Sequence, residues 1–76
     1  MLNDEAIKIM ADTYRAALAF ERMAKRHEHN AEVYRSIYRT EMDHFIAMTQ
    51  MAAILTDMTE AEVTSKVLDA MYGLES

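Results

Sequence analysis

Seventy-six residues, 51% of them hydrophobic and none of them cysteine or proline, make one small domain and exclude both a disulfide framework and thiolate metal sites. Thirteen Asp and Glu against eight Lys and Arg give a formal charge of −5, which argues against binding dominated by nucleic-acid phosphates. The longest apolar runs, 16–20 and 51–55, fall short of the roughly 20 residues of a membrane span. The opening Met-Leu-Asn-Asp-Glu shows no secretory signal, so no membrane partner is expected and a cytoplasmic location is.

A single glycine among many Ala, Met, Glu and Arg predicts an all-α chain. Helix 1 is expected over about 4–28. Asn3 caps it, Asp4 and Glu5 complement the positive end of its dipole, and Leu2 can staple onto Ile7. Ile7, Met10, Tyr14, Ala17, Leu18 and Ala24 form an apolar stripe with Glu21 inside it. A second stripe runs through Ile9, Ala16, Phe20 and Met23.

Helix 2 is expected over about 31–57. At 100° per residue, Val33, Tyr34, Ile37, Tyr38, Phe45, Met48, Met51, Ala52 and Leu55 share one arc, with Glu41 and His44 in its middle. Met42, Ile46 and Ala53 lie beside that face. Helix 3 is expected over about 60–73: Thr59-Glu60-Ala61-Glu62 reads as a capping box, with Met58 and Val63 as its staple. Val63, Val67, Met71 and Leu74 line it, and Gly73 ends it.

His29-Asn30 carries no strong breaker, so a single helix over 4–57 competes with a hairpin. Register favours the hairpin. Folding at residue 31 pairs positions whose numbers add to 62: Ile7 with Leu55, Met10 with Ala52, Tyr14 with Met48, Ala17 with Phe45 and Ala24 with Tyr38. Leu18 then faces His44 and Glu21 faces Glu41, both carboxylates about 15 Å from the turn. The expected architecture is an antiparallel helical hairpin with a short third helix, assembling into a bundle by oligomerisation. A chain this small has a marginal core, and without disulfides a metal or self-association must supply the staple.

Ionisable groups on apolar faces need partners. Glu on one helix and Glu-x-x-His on the next is half the ligand set of a carboxylate-bridged two-metal site, and two hairpins on a two-fold axis would complete it. At Glu21, Glu41 and His44 the chain resembles the ferritin-like di-iron carboxylate proteins, in particular the short half-bundle type that completes its site by dimerising. The resemblance covers residues 7–55 as a pattern. It implies iron binding and oxidation of ferrous iron, with those three residues as metal ligands. The competing reading makes Glu41 and His44 an ion pair that fixes helix register or oligomeric state.

Other charged groups have simpler explanations. His27-Glu28-His29 points three ways and reads as a solvated helix end. Lys8, Arg15, Arg22 and Arg26 form a basic row, with Asp12 placed to pair with Lys8 or Arg15. Arg15, Arg22 and Arg26 with Phe20 and Met23 make a candidate partner surface, and the eight methionines suit adaptable contacts. One glycine leaves no phosphate-cradling loop, and the serines sit in no nucleophile context, so no catalytic residues are assigned. The function ranked first is a non-enzymatic helical adaptor, inhibitor or regulator without a cofactor. Such a homo-oligomer, bound to itself and to another protein, would suit a phage or bacterial accessory role. The alternative is the di-iron protein, with iron as its cofactor.

Overall fold

The computed structural model describes residues 2–73. Among these, three α-helices, α1 (Asp4–Arg26), α2 (Ala31–Thr56) and α3 (Glu60–Tyr72), follow one another with a 3-10 turn, Glu28–Asn30, between the first two. There is no strand among the described residues. The fold is therefore all-α, an antiparallel hairpin of long helices with a short third helix laid on it. No helix among the described residues is long and apolar enough to cross a membrane.

Local chemistry accounts for the ends. The Asn3 side chain accepts the Ala6 N–H at 2.8 Å, with Asp4 and Glu5 in the first turn and Lys25 and Arg26 in the last. α1 stops because His27 turns extended (φ −118°, ψ 93°) while its N–H still bonds Met23 O. Asn30 N–H then bonds His27 O at 3.3 Å and closes the turn without glycine or proline. Aromatic packing holds this corner: Tyr34 lies 5.8 Å from the His27 ring and 6.5 Å from Phe20.

α2 ends at Asp57, in the left-handed region at φ 57°, where Asp is among the few side chains tolerated. Met58 N–H bonds Ala53 O across that turn. The capping box of α3 is present in both directions. Glu62 N–H donates to Thr59 Oγ1 at 3.1 Å, and Thr59 N–H donates to the Glu62 carboxylate at 3.2 Å. Gly73, at φ 66°, closes α3; Leu74 lies outside the described residues.

The core is small. Met10, Ala11, Phe45, Ala53, Val63 and Val67 form its buried cluster, with Leu2, Tyr14, Met48, Ala52, Met58 and Met71 packed around it. Val63 and Val67 are its largest fully enclosed side chains. Thr49 is buried among them with its hydroxyl on Ile46 O at 2.7 Å, and no buried side-chain polar atom among the described residues lacks a partner.

The helix register differs from the expected one by about one turn. Tyr14 packs on Phe45, ring centroids 4.9 Å apart, instead of facing Met48. Numbers across the seam add to 59, because the chain folds at residues 27–30 instead of at 31. Three residues of shift rotate α2 relative to α1 and change which apolar groups the hairpin covers. Val33, Met51 and Leu55, expected in the core, are 57%, 64% and 75% exposed. His44, expected on the apolar face, is exposed as well.

Replacing Thr59 by Ala removes the best-formed cap of the fold. We expect a loss of about 1 kcal/mol and a fall in Tm of roughly 4–8 °C for a domain of this size, read by circular dichroism melting. An unchanged Tm would show that α3 is held by packing alone.

Candidate functional site

The hairpin has two flanks, and α3 covers one of them. Ile7, Ala11 and Arg15 of α1 border Ala70 of α3, and the Arg15 guanidinium donates to Met71 O at 3.4 Å. Residues 11, 18 and 25 continue that flank at heptad spacing toward the turn, beyond the reach of α3. There, Glu21, Ala24 and Lys25 of α1 and Arg35, Tyr38 and Arg39 of α2 line a shallow pocket.

Within that pocket Glu21 meets Tyr38, not Glu41. Partial burial first, then the Glu21 charge and a hydrogen bond to its carboxylate, raise the Tyr38 hydroxyl above its ordinary pKa of 10.0. Lys25, Arg35 and Arg39 line the same pocket, so Glu21 has ionisable neighbours instead of a dry stripe.

The opposite flank is open. Ala6, Ile9 and Met10 of α1 face Met48, Met51, Ala52 and Leu55 of α2 across an apolar groove. Glu41, half-buried, and His44, exposed, belong to this flank, since 41, 44, 48, 51 and 55 follow heptad spacing. Glu41 and His44 thus share a helix face, as their spacing requires, while Glu21 lies on the other side of the hairpin. Among the described residues no group of three or more His, Cys, Asp or Glu is placed to hold a metal ion.

The basic row divides. Arg15 pairs with Asp12 at 3.5 Å and with α3, both contacts being internal to the chain. Arg22 and Arg26 remain exposed and border a depression with Ala19, Met23 and His27. Phe20 is half-buried against Tyr34. Phe20 and Met23 continue the open flank toward the turn, at heptad spacing from Ala6, Ile9, Thr13 and Ala16.

Met51 and Leu55 are surface residues that sequence reasoning missed, because 100° periodicity merged them with the buried arc, whereas Ile9 already stood in the second stripe of α1. The signal that separates them is a second heptad seam on each helix. Tyr34, Ile37, Glu41, His44, Met48, Met51 and Leu55 form one row beside the buried row that contains Tyr38, Phe45 and Ala52. Comparison with protein-family models, curated proteins and solved structures returned no match.

The Tyr38–Glu21 pair makes a pH dependence. A hydroxyl whose pKa is raised on folding contributes stability that is complete below pH 10.0, its unfolded value, and is lost as pH rises through the higher folded value. Denaturant unfolding of the native chain and of Tyr38→Phe should therefore run parallel from pH 7 to 9. Above pH 10 the native chain should lose more stability than the variant, and equal losses would contradict the pairing.

Proposed function

We propose that this chain is a small non-enzymatic interaction protein, an adaptor, inhibitor or regulator in the cytoplasm, that works as a homo-oligomer through the open flank of its hairpin. The observation that carries the reading is the contiguous exposure of large apolar side chains there, with Ile9 at 53%, Met51 at 64% and Leu55 at 75%. Isolated exposed apolar residues are ordinary, but a groove with apolar walls on both helices marks a contact surface. Met48 and Met51 can repack to suit what they meet. At the turn end of the flank, Met23 lies beside Arg22 and Arg26, a mixed apolar and basic edge suited to an acidic protein partner.

Capture by the immobilised chain tests this. Phe20→Asp with Met23→Asp, and separately Arg22→Glu with Arg26→Glu, should each reduce recovery of a protein partner at least tenfold while helix content stays native. Undiminished recovery would sink the reading.

A second reading keeps the metal. Glu41 and His44 stand three residues apart on one face of α2, the spacing at which carboxylate and imidazole can reach one ion. In this reading they would hold iron with Glu21 at a site completed by a dimer. The position of Glu21 beside Tyr38 requires that carboxylate to come from elsewhere or to move. Anaerobic reconstitution with ferrous iron, followed by desalting and metal analysis, decides it. Stoichiometric iron that Glu41→Ala and His44→Ala abolish supports this reading; protein that retains none rejects it.

A further inference from the structure

We propose that the open flank is closed by a second copy of this chain, turned over on a two-fold axis passing between Glu41 and His44, so that Glu41 of each chain meets the partner's His44. The inference rests on the interaction reading above and specifies its partner and geometry.

The seam on α2 suits an antiparallel copy of itself. With the axis between 41 and 44, Tyr34 meets the partner's Met51 and Ile37 meets the partner's Met48. Both Glu41–His44 contacts form at the centre. Aromatic or branched side chains thus face flexible thioethers on either side of a carboxylate–imidazole pair. Sliding the axis by one and a half residues either way, a register shift of three, sets Glu41 against the partner's Glu41, or His44 against the partner's His44. Of the three alignments, one matches opposite groups, and charge complementarity fixes the register.

The seam on α1 agrees with the same axis. Its row from Ala6 to Met23 has its midpoint between Thr13 and Ala16, two small side chains that allow close approach. About that point Ile9 meets the partner's Phe20 and Ala6 meets the partner's Met23. In the hairpin's own register, where Tyr14 stands beside Phe45, this midpoint falls within two residues of the Glu41–His44 midpoint. Two residues are about 3 Å of helix rise. One axis therefore serves both helices, although each midpoint is set by its own sequence.

The shape of the chain asks for such a partner. Its surface of 5584 Å² exceeds by about 800 Å² that of a compact monomer of its mass. About 800 Å² per partner is also what a standard stable interface buries. Its radius of gyration, 13.7 Å, exceeds the ~11 Å of a compact domain of this length, and its least extent is 18 Å. A slab with one apolar face uncovered becomes a four-helix bundle when two such faces meet.

The experiment combines mass with directed cross-linking, and the lack of cysteine gives a silent background. Sedimentation should give twice 8.8 kDa at micromolar concentration. Ile37→Cys and Met48→Cys chains, refolded together and oxidised, should form a disulfide-linked dimer, whereas either alone should give less than a tenth as much. Glu41→Arg should weaken the dimer at least tenfold, and adding His44→Glu to it should restore affinity by exchanging the charges. A monomeric mass at all concentrations overturns the proposal. So does a dimer without the 37–48 cross-link, or one indifferent to Glu41→Arg. A monomer that still captures a different protein through Phe20 and Met23 overturns this proposal and the homo-oligomer part of the reading above, and leaves its protein-partner part standing. An intact dimer with capture of every other protein unaffected by the flank variants does the reverse.

Discussion

Tyr14 and Phe45 pack ring on ring at 4.9 Å, and that contact decides which residue of α1 stands beside which residue of α2. Phe45 is also part of the buried cluster that takes in Val63 and Val67 of α3, so the same ring ties the hairpin to its third helix. The cluster is small and contains two alanines among its six buried members, so this aromatic pair is a large share of its apolar contact. The aromatic corner of Phe20, Tyr34 and His27 only has to agree with the alignment that Phe45 imposes.

The register in turn makes the two flanks unequal. α3 is thirteen residues long and lies over one flank near the N-terminal end of α1 and the C-terminal end of α2. What it leaves uncovered on that side, toward the turn, carries ionisable side chains: Glu21, Lys25, Arg35 and Arg39, with Tyr38. What remains uncovered on the other side is apolar along most of its length, with Glu41 and His44 at its centre. One flank is therefore compatible with water as it stands, and the other is compatible with a partner. The proposed function follows from that difference.

Much of the architecture was legible in the sequence because its signals are local. Asn3, the Thr59–Glu62 box and Gly73 act within one helical turn, and each sits where its spacing places it. The hairpin was favoured over a single helix across 4–57 because two apolar stripes could be set against each other. The alignment between the stripes was not legible. Choosing residue 31 instead of the extended His27 as the fold point moved every cross-helix pair by about a turn. That error set Glu21 against Glu41 and Leu55 against Ile7.

The sequence by itself determined the N-terminal start of α1, both ends of α3, their caps and the existence of apolar faces, since these depend on residue type and on spacing within a few positions. It also determined that Glu41 and His44 share a face, because three residues of α-helix leave no alternative. Only the tertiary structure decided that Glu21 lies beside Tyr38 on the far flank and that the apolar surface is split between a covered and an open side. Helical periodicity is the same for two adjacent seams on one helix. Which seam is buried depends on the rotation and offset of its neighbour, and those come from non-local packing around Phe45.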